Sequence, residues 1–124
     1  MRCPVNDLEM QHSEMVGVLA KDGEAIRQEM SAVNAHLLHM AVGIAGEAGE
    51  LLDAIKKAVI YQKPLDLENV IEELGDLEFY MEGLRQGLFV ERSETLAANY
   101  QKLSKRYEGL QYSDQAAQTR ADKQ

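Results

Sequence analysis

The sequence predicts an all-α protein, built as a four-helix-type bundle. Three observations lead there. Ala, Leu, Met, Glu, Gln and Lys, all good helix formers, are plentiful, whereas Pro occurs only as Pro4 and Pro64. From Glu24 to about Tyr61 no Pro interrupts a run whose apolar residues recur at helical spacing. No segment alternates apolar and polar residues with the period of two that a half-buried strand requires.

The elements follow in chain order. Asn6 or Asp7 can cap a first helix that runs to about Ala20, with Leu8, Met15, Val18 and Leu19 as a sparse apolar stripe. Lys21-Asp22-Gly23 reads as a turn. A long second helix extends from Glu24 to about Tyr61. Gly43, Gly46 and Gly49 weaken it and leave room for a bend or break near Gly43. Gln62-Lys63-Pro64 stops it. Asp66 caps a third helix from Leu67 to about Gln86, with Gly87 as its C-terminal stop. Ser93 starts a fourth, from Glu94 to about Tyr107, ended by Gly109. The tail from Ser113 is polar and is expected to be mobile. The 124 residues are expected to form a single domain.

Composition narrows the function. Hydrophobic residues make up 45% and charged residues 27%, the profile of a soluble domain. The net charge of −8 argues against a nucleic-acid or anionic-membrane surface. It leaves room for an anionic small ligand, because a bound cation reverses the local sign. A single cysteine, Cys3, cannot form an internal disulfide, and no signal peptide or membrane-spanning run is evident. A cytoplasmic protein is expected.

Chemistry concentrates in two short stretches, GEAGELLD at residues 46–53 and EELGD at residues 72–76. Each sets two carboxylates three residues apart, Glu47 with Glu50 and Glu73 with Asp76. On a helical wheel with Glu47 at zero, Met40, Ile44, Leu51, Ile55 and Ala58 fall at about +20° to +80°, and Glu50 at about −60°. With Glu73 at zero, Val70, Leu77, Met81, Leu84 and Leu88 fall in the same arc and Asp76 at about −60°. Both acid pairs therefore flank a buried stripe in the same way. If the stripes pack together, four carboxylates line one groove, where they repel one another and lose hydration. A hard divalent cation, Mg²⁺ or Mn²⁺, relieves both costs. Acid pairs on helices are also common on solvated faces, and pattern alone leaves both readings open.

Other constellations carry less. His36-x-x-His39 shares the flank of Glu47 and could ligate metal, although a hydrogen-bonded histidine explains it as well. Glu9-x-x-His12 is half of a di-iron bundle signature whose second half is missing. The methionines suit core or interface filling. Cys3 has no evident base beside it, and the glycines at 43, 46 and 49 form no phosphate-cradling loop.

Three segments together carry a resemblance. They are GIAGEAGEL at 43–51 followed by Ile55-Lys56-Lys57, NVIEELGD at 69–76, and NYQKLSKRY at 99–107. In this ordered set, over about residues 34 to 122, the chain resembles the MazG-like nucleoside triphosphate pyrophosphohydrolases of the all-α NTP pyrophosphatase superfamily. The resemblance implies hydrolysis of a (d)NTP between the α and β phosphates, giving the monophosphate and pyrophosphate. It implies that Glu47, Glu50, Glu73 and Asp76 hold Mg²⁺ and carry catalysis. It also implies that Asn99, Lys102, Arg106 and Tyr107 contact nucleotide and phosphate.

Base contacts are expected from the helix holding His36 and Met40. Related enzymes are oligomers, often tetramers built from dimers. Phage-borne members are common, and some act on purine deoxynucleotides, which leans the expectation toward dATP or dGTP. Many relatives begin the first motif with two adjacent acids, EExxE, where this chain has Gly46. The acceptor of the water's proton is then Glu47, Glu50 or Glu72. Lys102, Lys105 and Arg106, at i, i+3 and i+4, share a helical face that can hold phosphate oxygens. The competing reading is a non-catalytic helical interaction module that keeps the acids as a structural or regulatory metal site.

Overall fold

A computed structural model describes residues 4–123, with side chains from Asn6; Cys3 lies outside them. The fold is all-helical, and no strand occurs among the described residues. No helix among them is long and apolar enough to cross a membrane. The chain divides into two compact units, one ending at Asn34 and one running from Ala35 onward.

The first unit holds α1 (Pro4–Leu19) and α2 (Gly23–Glu29). Pro4 opens α1 at a position where a missing N–H costs nothing. The long helix expected from Glu24 is interrupted. Ser31 Oγ accepts a hydrogen bond from the Asn34 N–H at 3.0 Å, so Ser31 caps a new helix, α3 (Ala32–Val59). Surface ion pairs join Lys21 to Glu29 and Arg27 to Glu24. Exposed pairs of this kind contribute at most about 1 kcal/mol each.

In the second unit α3 meets α4 (Leu67–Leu88) as an antiparallel hairpin. Asp66 caps α4 as expected, its Oδ1 accepting from the Asn69 N–H at 3.1 Å. The seam between the helices is set by small residues. A Cβ on Gly43 would run into the Tyr80 ring, and one on Gly83 into Met40 Sδ. One on Gly87 would lie 2.7 Å from His36 Cδ2. α3 therefore continues through Gly43 without a break, because that glycine serves close approach to Tyr80. Gly87 likewise lies inside α4 and does not end it. The helix ends at Phe89, which takes the left-handed conformation (φ 56°). The Phe89 N–H bonds to Gln86 O and the Val90 N–H to Arg85 O, the two closing bonds of a Schellman turn.

α5 (Arg92–Arg106) begins two residues earlier than the Ser93 cap predicts, with Glu91 at the N-cap. The Glu94 side chain accepts from the Glu91 N–H at 3.3 Å, closing the first turn. The segment expected to be a mobile tail is helical instead. A 3₁₀ turn (Glu108–Leu110), α6 (Asp114–Thr119) and a second 3₁₀ turn (Ala121–Lys123) pack along α5. Ser113 Oγ caps α6 through the Ala116 N–H, and Asp122 pairs with Arg106. Polar composition missed both, because the anchors are themselves polar.

Burial is sparse. Among the described residues only Met40 and Arg85 are buried, the latter paired with Glu82 at 2.9 Å. Along α4, Leu67, Ile71 and Leu74 stay exposed beside the half-buried Val70, Leu77 and Leu84.

Candidate metal and nucleotide site

The two acid stretches meet where α3 passes α4, with Glu47 four residues after Gly43 and Asp76 four residues before its partner Tyr80. Glu47, Glu73 and Asp76 each offer a carboxylate oxygen, and the three oxygens lie within 4.8 Å of one another. Glu47 and Glu73 are half-buried and Asp76 is exposed. Glu47 Oε2 and Glu73 Oε2 are buried without a hydrogen-bond partner among the described residues. A buried, unpartnered carboxylate oxygen is costly. Two of them facing each other form a donor set that suits a hard cation.

The electrostatics agree. The carboxyl of Glu73 is pushed up to about 7. The closely approaching Glu47 carboxyl is the first cause; desolvation and the nearby charge of Glu50 add to it. Such a shift marks carboxylates crowded together.

Glu50 stands just outside the three-oxygen cluster. It lines an open groove of about 480 Å³ together with Gly46, Asp53, Lys57, Asn69 and Glu73. Gly46 leaves that wall open, since a Cβ there would meet nothing within 4 Å. Lys57 is held by Asp53 at 3.0 Å. Asp53, Lys57 and Asn69 were not singled out by pattern, although the signal was present. Asp53 and Lys57 continue the Glu50 face at helical spacing, and Asn69 lies one turn before Glu73.

The remaining predicted residues are elsewhere. Asn99 and Lys102 are exposed on α5, and none of the α5 residues lines the acid groove. Tyr107 packs against Tyr112 with ring centroids 5.5 Å apart. Arg106 is bound to Asp122 and borders a different cavity. His36 Nε2 lies 2.9 Å from Gly83 O, so this histidine ties α3 to α4 and does not join the acids. Its neighbour His39 meets the Tyr80 ring edge-on. Glu72 is exposed on α4, outside the cluster.

The family model for the MazG nucleotide pyrophosphohydrolase domain matches residues 35–110. The chain belongs to the MazG nucleotide pyrophosphohydrolase family. The MazG match begins at Ala35, where the second compact unit begins. It contains all the acids of the cluster and groove and the α5 residues named above. It ends before α6 and Asp122. No curated protein and no solved structure matches the chain.

Proposed function

We propose that this MazG-family chain hydrolyses a nucleoside triphosphate between the α and β phosphates, with Mg²⁺, releasing the monophosphate and pyrophosphate. The observation that carries the reading is the pair of buried, partnerless oxygens on Glu47 and Glu73, gathered with Asp76. These three acids would hold the ion, Mg²⁺ first and Mn²⁺ as a substitute, with Glu50 as the fourth acid on the groove wall. Such an ion, when bound, offsets the charge of acids and polyphosphate and makes nearby water more acidic.

The chain's own residues do the rest. Glu50 faces the groove from outside the cluster, and we assign it to accept the attacking water's proton. The space beside Gly46 admits that water. Asn99, Lys102, Arg106 and Tyr107 bind the polyphosphate and stabilise charge as the bond breaks. His36 commits Nε2 to the Gly83 carbonyl, which leaves Nδ1 as an acceptor for a base.

Association of copies completes the site in this reading. The α5 cations are absent from the groove of their own chain, and apolar side chains on α4 are uncovered. We therefore read the protein as a homo-oligomer, a tetramer ahead of a dimer. We place it in the cytoplasm, without nucleic-acid or membrane partners, consistent with its charge of −8. Purine deoxynucleotides are the proposed substrates and nucleotide-pool control the proposed role.

The test is a panel of dNTPs and NTPs with and without Mg²⁺, with the products identified. Pyrophosphate and a monophosphate from at least one purine dNTP, only with metal, is the expected result. Absence of pyrophosphate with every nucleotide would falsify the enzyme reading and favour the non-catalytic module.

A further inference from the structure

The C-terminal segment past the MazG match supplies the carboxylate that holds Arg106. Arg106 Nε donates to Asp122 Oδ1 at 2.8 Å, and Nη2 donates to Oδ2 at 3.2 Å. The pair is covered: the Arg106 side chain is 15% exposed and the Asp122 side chain 4%. Asp122 comes from the 3₁₀ turn Ala121–Lys123, which packs on α5. Beside it lies a cavity of about 480 Å³ whose lining includes Lys105, Arg106, Glu108, Gln111, Tyr112 and Ser113.

A guanidinium carries five N–H donors in a rigid plane. The side-on pairing with Asp122 uses the Nε donor and one Nη2 donor. Asp122 leaves both Nη1 donors and the second Nη2 donor unused; Tyr107 also approaches the guanidinium, whose orientation the carboxylate fixes. An arginine held this way loses little freedom when it binds an anion, and its fork matches phosphate oxygens.

We propose that Asp122 is a positioning residue for polyphosphate recognition, holding the Arg106 guanidinium with its unused N–H edge toward the adjoining cavity. This rests on the reading of Arg106 as a phosphate contact. The alternative use of the same contact is an autoinhibitory strap, with Asp122 standing in for phosphate. The geometry argues against it. An acid only 4% exposed, with both oxygens engaged, is not readily displaced by an incoming anion. The two uses predict opposite signs, since removing a positioning residue weakens binding and removing a strap strengthens it.

The experiment compares wild type, Asp122→Asn, Asp122→Glu, Arg106→Gln and the double variant Arg106→Gln/Asp122→Asn. Folding is checked by circular dichroism, and steady-state pyrophosphate release is measured on the best nucleotide. Asp122→Asn is expected to raise KM about tenfold, the worth of one charged hydrogen bond, with kcat within about twofold. Asp122→Glu should recover part of the loss, and Asp122→Asn should add nothing on the Arg106→Gln background. Unchanged or lower KM in Asp122→Asn overturns the proposal, as does an equal loss on both backgrounds. Should Asp122→Asn fail to fold, Asp122→Glu decides, because its longer arm shifts the guanidinium while keeping the charge. A KM equal to wild type in that variant then overturns it. If the wild type releases no pyrophosphate from any nucleotide, the function reading fails by itself. Titration calorimetry with inorganic tripolyphosphate then decides the role of Asp122: weaker binding by Asp122→Asn upholds it, and equal binding overturns it.

Discussion

At the scale of single residues, the two orphaned carboxylate oxygens make the sharpest claims. Glu47→Gln or Glu73→Gln removes one of two crowded charges and one of three gathered oxygens. Each is expected to cut Mg²⁺-supported turnover by about a hundredfold or more. Each should also raise the melting temperature of the metal-free protein at neutral pH, because repulsion is relieved. Unchanged turnover in both variants would remove the metal assignment.

The Glu73 shift gives a pH dependence whose sign can be worked out. Its folded-state pKa, about 7, lies above the ordinary value of 4.5. Between those values the folded state binds more protons than the unfolded state, so stability falls as pH rises through the window. Below it the penalty is absent, and above about 7 it is complete. Metal-free protein should therefore melt at lower temperature at about pH 8 than at about pH 5. Mg²⁺ should restore stability at the higher pH, and Glu73→Gln should flatten the slope. Calorimetric scans that show no such difference between wild type and Glu73→Gln would refute the coupling.

At the scale of elements, the glycines of α3 separate into two kinds that look alike in sequence. Gly43 faces Tyr80 with no room for a Cβ, whereas Gly46 faces open space. Gly43→Ala is expected to destabilise by about 1–3 kcal/mol through overpacking at the seam. Gly46→Ala is expected to stabilise by about 0.5–1 kcal/mol through helix propensity alone. Urea denaturation that ranks the two variants in the reverse order would disprove the close approach of α3 and α4. Helix starts were legible where a short polar side chain precedes an apolar run, as at Asp66. They were missed at Ser31, where the break falls inside a run with no Pro and no Gly to announce it. The end of α4 was misplaced for a related reason. A glycine near a helix end usually marks a stop, but Gly87 is required against His36 and Phe89 takes the left-handed turn.

At the scale of the whole molecule, the exposed apolar side chains decide what the chain must do next. Leu67 and Ile71 are each 60% exposed on α4 and Leu74 is 49% exposed, and among the described residues only Met40 is a buried hydrophobic. Clustered exposed apolar side chains mark an interaction surface, which the proposed association of copies would cover. Light scattering at micromolar concentration is expected to give a dimer or larger. Leu74→Asp should shift the distribution toward monomer and lower activity in parallel. A wild-type monomer with full activity would contradict a site completed by association.

Sequence by itself determined the helical class, the helix-capping role of Asp66 and the matched acid pairs. These are local properties, set by propensity, spacing and short-range hydrogen bonds. It also determined the MazG family, through three ordered motifs. Tertiary structure decided which of the acids converge, because that depends on how closely two helices can approach. Gly43, Gly83 and Gly87 supply that approach, and no helical wheel records it. It also separated the α5 cations from the acid groove and joined Arg106 to Asp122 across 16 residues. Such pairings are made by packing between segments, and no local pattern in either segment encodes its partner.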